Sequence, residues 1–527
     1  MGSGPSEVHR DAIVPGEIVV RPSAEREAGP ALGAVLGAVS ARPAAGPSQH
    51  LLSQLDRFLQ ERTLGGALRI WLGTALPRDK ETLAVRLNRD VAYLDALVNE
   101  QVNAVLHHPQ FQRLEASWRG LRYLVDRAEE EEDRRVKIRV LSVTWKELER
   151  DFERAAEFDA SQLFRKVYEQ EFGMPGGEPF GLLVGDYEIH PRPSPDHPHD
   201  DIQILKAISQ VAAAAFCPFV ASAHPSLFGL DSFATLDYRL DHAATFEHKE
   251  YVTWRALRDS EDARFLGLTL PRVLMRAPYE DDGTRVDAFR FREEVSGPDG
   301  SKYLWGSAAY AFAGVVIRAF ARSGWLADIR GVQRGVEGGG LVGSLPVHRF
   351  GTDRRGLAAR KSTEIVITDE LERDLAELGF LPLGDCQDTD YAAFYSSQSL
   401  QRPKKYDRLA ATLNARMSSL LQYMLCVSRF AHYVKVMGRD KVGTFGEPQE
   451  FEQFLQDWIT RYVTPDAEAP PEVRARFPLR EAQVRVRAQP GKPGSFECVM
   501  HLAPHYELDE LTAAVRVRTE LAPPRMA

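Results

Sequence analysis

The chain has 527 residues, of which 44% are hydrophobic and 27% charged, and its formal net charge is −9. That length accommodates several domains with sizeable cores, and the acidic balance excludes the basic stripe of a nucleic-acid-binding surface. No run reaches the roughly 18–20 uninterrupted apolar residues that a membrane span needs, and the start, MGSGPSEVHRDAIVPGE, lacks the basic and apolar regions of a secretory signal.

Residues 1–50 are rich in Ala, Gly, Pro and Ser, a composition too poor in apolar surface to fold alone. One short apolar run interrupts them, Ile18, Val19 and Val20 between Glu17 and Arg21. The segment reads as an arm carrying one strand that awaits a partner. Helical periodicity begins at Leu51, with Leu52, Leu55, Phe58 and Leu59 on one face. A second helix carries Leu83, Leu87, Val91, Leu94, Val98, Val102 and Val105, and Pro109 ends it near His107 and His108. A third carries Phe111, Leu114, Trp118, Leu121 and Val125.

The middle alternates strands and helices. Residues 136–140 (VKIRV) alternate as a strand does, and the apolar runs 180–184 and 218–222 flank a helix over 201–215. This pattern predicts an α/β (α+β) multidomain protein with a mixed, largely buried sheet and flanking helices. Past residue 370, Leu413, Met417, Leu420, Met424, Val427, Ala431 and Val434 follow a seven-residue rhythm. The spacing predicts one long helix packed along its own domain, since flanking charges of the coiled-coil kind are sparse.

A shorter amphipathic helix follows, with Phe451, Phe454, Leu455, Trp458, Ile459 and Tyr462 on one face and Glu450, Glu452, Gln453, Gln456 and Asp457 on the other. At the C-terminus Val484 and Val486 alternate with arginines, a Pro/Gly-rich turn follows, and Phe496, Cys498, Met500 and Leu502 alternate in turn. Val515 and Val517 belong to a third alternating segment. A lone ribbon is marginally stable, so these strands need a sheet to join.

Chemistry is scarce. Residues 331–340 are glycine-rich but match neither phosphate-cradling motif, so a close backbone approach is expected there. His190, His197 and His199 stand near Asp186, Asp196, Asp200 and Asp201, but most lie in a proline-rich loop, and good metal sites hold their ligands with supporting hydrogen bonds. No metal, cofactor or catalytic residue is assigned. The four cysteines form no CxxC pair and read as buried thiols of a reducing, cytoplasmic compartment.

Several long segments nevertheless carry a resemblance. They include Val105-LHHPQFQRLEASWRGLRYLV-Asp126, Phe164-RKVYEQEFGMPGGEPFGLLVGDY-Glu188, Asp201-IQILKAISQVAAAAFCPFVASAHPSLFGLDSF-Ala234, Asp388-TDYAAFYSSQSLQRPKKYD-Arg408 and Pro490-GKPGSFECVMHLAPHYELDEL-Thr512. In this order, from about residue 55 onward, the chain resembles the TssC/VipB family, the large subunits of the type VI secretion contractile sheath. The glycine loop departs from that pattern around Gln333 and Arg334, and the arm has no counterpart in it.

The resemblance implies a structural protein without a catalytic site. Its implied partners are the small sheath subunit (TssB/VipA), further copies in six-fold helical rings, the Hcp inner tube, the baseplate and, indirectly, an AAA+ recycling ATPase. Composition and periodicity, taken with the resemblance, predict four segments: the arm (1–50), an N-terminal sheath domain (51–370), a C-terminal sheath domain (371–482) and a terminal hairpin and strand (483–527). Inter-subunit pairing is expected through Ile18, Val19, Val20, Val484, Val486, Phe496, Cys498, Met500, Val515 and Val517. Glu450, Gln453 and Asp457 are the expected inner-tube contact. The alternatives are a sheath subunit of a related phage-like contractile injection particle and a non-enzymatic scaffold.

Overall fold

The computed structural model describes residues 49–73, 77, 79–131, 135–236, 241–281, 289–297, 300–332, 337–351, 357–387, 389–441, 447–466, 468–489, 496–505 and 515–521. The arm residues Ile18, Val19 and Val20 lie outside them. Packing divides the chain into two compact units: the described residues up to Gln112 with those of Pro278–Gly297, and those of Arg113–Ala277 with those from Pro298 on.

The first unit is built on helices α1 (Gln49–Gln60), α2 (Leu64–Leu72) and α3 (Lys80–Leu106). Thr63 and Asp79 start the last two, each side chain accepting a hydrogen bond from a first-turn backbone N–H, Gly66 and Thr82 respectively. The Trp71 indole donates to the buried Asp90 carboxylate at 2.9 Å, tying α2 to α3. Asn99 and Asn103 bond the backbone of Arg290, Arg292 and Glu294, which fastens the 289–297 segment along α3. The heptad-spaced Val91, Val98 and Val105 are exposed, whereas Leu83, Leu87, Leu94 and Val102 are half-buried. Three of the seven apolar positions expected on that face are therefore uncovered.

The second unit opens with the greater part of α4 (Pro109–Glu130), whose buried stripe is Ala116, Gly120 and Leu124. Gly120 is required there: a Cβ would lie 2.4 Å from carbons of the Tyr310 ring. Val136 and Ile138 are half-buried between exposed neighbours, but residues 136–140 form no strand, and among the described residues no strand pairs with them. Their arginine and lysine instead reach carboxylates, Lys137 to Glu178 and Arg139 to Glu171. Helix α5 (Trp145–Arg154) begins with a capping box of Thr144 and Glu147.

The core is a parallel sheet of β1 (Leu183–Ile189), β2 (Phe219–Ala223), β3 (Leu266–Leu270) and β4 (Leu381–Pro382), in that order. On β2, Phe219, Ala221 and Ala223 face α6 (Asp201–Ala215) and α7 (Val252–Asp259), while Val220 faces α8 (Ala308–Ser323). Helices on both faces explain why all five residues of β2 are buried and why its sequence does not alternate.

The predicted long helix is broken. It divides into α9 (Leu409–Ser418) and α10 (Leu421–Asp440), and Leu420 between them has extended backbone, φ −84° and ψ 130°. Backbone bonds from Leu421 N to Ser397 O (2.7 Å) and from Ser399 N to Ser419 O (2.9 Å) hold the break. Most of the seven-residue seam still reaches one core: Met417, Leu420, Val427, Ala431 and Val434 pack with Trp325 and Phe430.

Candidate functional site

The C-terminal strands form an antiparallel sheet in the order β5 (Leu479–Ala488), β6 (Phe496–Pro504) and β7 (Val515–Leu521). Val484 pairs with Met500, Val486 with Cys498 and Ala488 with Phe496, while Val515 and Val517 pair with Leu502 and Met500. Val484, Val486, Cys498, Met500 and Leu502 are buried, with Phe496 half-buried, in the same core as Phe430 and Leu455 of the preceding helices. The apolar side chains of the first two strands are thus spent inside this chain.

The outer edge of β5 is closed by a helix. Helix α11 (Pro448–Thr460) starts at a proline, which suits the first helical position, and buries Phe451, Leu455 and Ile459 at four-residue spacing. Along its flank, Glu452 Oε2 accepts from Val486 N at 2.7 Å and Gln456 Oε1 accepts from Val484 N at 2.9 Å. Gln456 Nε2 also donates to Ala482 O at 3.2 Å. Two polar side chains one helical turn apart stand where the next strand of a sheet would.

Glu452 and Gln456, placed by spacing opposite the apolar face of α11, are therefore half-buried against β5, and the Val486 N–H bonds the helix. Among the described residues no strand pairs with the far edge of β7. On the outer face of α11, Glu450, Gln453 and Asp457 are exposed, as the spacing predicted, and Gln453 Nε2 donates to Asp457 Oδ1 at 2.9 Å.

The histidine-rich loop is more ordered than its prolines suggested. Asp201, at the first position of α6, is fully buried and is the hub. Its Oδ1 accepts from Trp145 Nε1 at 2.6 Å and contacts His197 Nε2 at 2.6 Å. Its Oδ2 accepts from His190 N at 2.8 Å and lies 3.3 Å from His190 Nδ1. Burial alone would raise the Asp201 pKa, but the bonds from His190 and His197 hold it below the usual range. His190 stacks between His197 and His224, centroids 4.1 and 4.0 Å away, and His199 bonds Glu149 at 2.6 Å. Burial, with His190 beside it, pulls the His224 imidazole down to about 4.

The glycine-rich segment packs against backbone. Gly340 N donates to Gly331 O and Phe394 N to Gly340 O, and a Cβ on Gly340 would lie 2.0 Å from Phe394 O. Arg318 donates to the carbonyls of Leu341 and Gly339, so these carbonyl oxygens are already occupied. Cys217, Cys426 and Cys498 are buried; burial pushes the Cys426 and Cys498 thiols up to about 12. Cys386 is half-buried.

Comparison with known proteins assigns this architecture. Residues 88–401 match the VipB model, described as the EvpB/VC_A0108 tail sheath N-terminal domain. The chain belongs to the VipB tail sheath family. Residues 410–521 of this sheath protein match the companion model, the tail sheath gpW/gp25-like domain, which spans α10, α11 and the terminal sheet. A curated relative, the type VI secretion system sheath protein TssC1 of Pseudomonas aeruginosa, is 42% identical over 434 residues, covering 82% of this chain and 85% of the relative. The chain is a type VI secretion sheath protein, and its family is structural. Among the described residues no helix is long and apolar enough to cross a membrane.

Proposed function

We propose that this chain is the large subunit of a contractile sheath, pairing with a small sheath subunit and stacking in helical rings around an inner tube. Contraction of the assembly then drives the tube outward, with no catalysis by this chain. The observation that carries the reading is the asymmetry of the terminal sheet. Its β5 edge is sealed by Glu452 and Gln456, while β7 has no strand partner beyond it among the described residues. An edge strand without a partner is a template for β-augmentation, and the arm around Ile18, Val19 and Val20 has the composition of a donor strand.

Uncovered Val91, Val98 and Val105 on α3 offer a helical seam of the kind a partner helix fills. The face of Glu450, Gln453 and Asp457 is the reading for the tube-side contact. Exposed polar pairs are individually weak, about 0.2–1 kcal/mol, which suits a contact that holds registry and then releases. The test is electron microscopy of the chain co-expressed with a small sheath subunit. Hollow helical tubes support the proposal, and discrete particles under the same conditions overturn it.

A further inference from the structure

Residues 136–142 form a straight segment whose backbone has no partner. No turn or bend interrupts it, and among the described residues none of its backbone N–H or C=O groups makes a hydrogen bond. A stretch left that open is ordinarily a loose loop, because only water meets its peptide groups. Here side chains hold it in place. Ile138 packs with Leu124 and Tyr310. Lys137 and Arg139 reach Glu178 and Glu171, and the Arg139 guanidinium lies 5.3 Å from the centre of the Phe180 ring. Just beyond, Val143 O accepts from the Tyr187 hydroxyl of the edge strand β1 at 2.6 Å.

This pattern selects the partner. Donors and acceptors spaced along a straight backbone are met over their whole length by another strand, the mode of β-augmentation. Val140 and Leu141 are 70% and 50% exposed, and as neighbours in an extended chain they give an incoming strand apolar contacts on both faces. A second copy of the segment fits poorly. Antiparallel pairing of 136–140 with itself sets Lys137 opposite Arg139 twice, and like charges directly opposite destabilise. Cations on an open strand guard against such self-pairing. Strands β1–β7 are paired within this chain, and the arm's one apolar run has its place at the β7 edge in the reading above. The strand that fits therefore comes from a different protein.

We propose that residues 136–142 dock an extended segment of the small sheath subunit, which adds to them as a strand through main-chain hydrogen bonds. The inference rests on the reading of this chain as the large sheath subunit. The incoming strand carries apolar side chains against Val140 and Leu141, and neutral or acidic ones opposite Lys137 and Arg139.

The test uses the full-length chain purified in complex with its small sheath subunit. Hydrogen exchange is read on the peptide covering 136–142, whose amides should exchange at least about 100-fold slower than those of an unstructured peptide. The photo-crosslinker p-benzoylphenylalanine in place of Val140 should couple to a small-subunit peptide, identified by mass spectrometry. Successive N–H groups of a strand point to opposite edges, so only one of Val140→Pro and Leu141→Pro should weaken the complex, by about tenfold in a pull-down titration. Neither N–H is bonded within this chain, so neither variant loses an internal hydrogen bond. If the wild-type chain forms no complex, the large-subunit reading fails and this inference fails with it. If complex and tubes form while the 136–142 amides exchange within about tenfold of an unstructured peptide, this inference alone is overturned. Cross-links confined to a second copy or to the arm overturn it as well.

Discussion

Changing Glu452 and Gln456 together to alanine should unseal the β5 edge. The change removes one hydrogen bond with an ionised acceptor, to Val486 N, and two neutral bonds, to Val484 N and Ala482 O. Bonds to charged groups contribute about 1.5–3 kcal/mol and neutral ones about 0.5–1.5 each. The edge is part-buried, so water replaces some of the loss, and about 2–3 kcal/mol of local stability is at stake. At about 1.4 kcal/mol per factor of ten, that is roughly 30- to 150-fold in local opening. Hydrogen exchange read on the peptide containing Val484 and Val486 should accelerate by that factor in the full-length chain. Glu452→Gln, which keeps a neutral acceptor, should fall between the wild type and the double variant. Exchange at Val484 and Val486 within about threefold of the wild type would refute the reasoning.

A chain ending at Ala514 should keep its core but form no tubes, whereas deletion of 483–527 should also expose Phe430 and Leu455 and give insoluble protein; microscopy and solubility separate the two. Expressed alone the chain should aggregate and be rescued by a small sheath subunit, and equal solubility in both conditions would contradict this. Glu450→Lys with Asp457→Lys should abolish assembly templated by an inner-tube protein while pairing with the small subunit, measured by co-purification, persists. His432 is buried against Ala215 O at 3.1 Å, and burial, with Arg429 nearby, lowers its pKa to about 3. Since the unfolded imidazole titrates near 6.5, the unfolded state binds the extra proton between the two values. Stability should therefore be full above about pH 6.5 and fall by about 1.4 kcal/mol per pH unit below it. His432→Gln should flatten that slope in chemical unfolding followed from about pH 6.5 to 4.

Elements whose signal is local were legible in the sequence. The bounds of α6 were read as 201–215, and the hairpin registers follow from period-two alternation around a Pro/Gly turn. Misreadings arose where a distant partner decides. Residues 136–140 alternate in sequence yet have no strand paired with them among the described residues, and the seam from Leu413 to Val434 breaks because the backbone at Ser397 and Ser399 captures residues 419–421. On α11, spacing placed Glu452 and Gln456 on the polar side but carried no information that β5 would lie alongside. At the histidine cluster the supports, Trp145 and Glu149, stand 56 and 50 residues before their partners, so no motif window contains them.

The distribution of the cysteines has a practical consequence. Cys217, Cys426 and Cys498 are enclosed, and a thiol whose pKa is raised is a poor nucleophile towards maleimides. Cys386 is the exception, half-exposed and 3.6 Å from the Tyr395 hydroxyl. The folded wild-type chain therefore comes with one addressable position, and a dye attached there would repeat once per subunit along any tube without a single engineered residue.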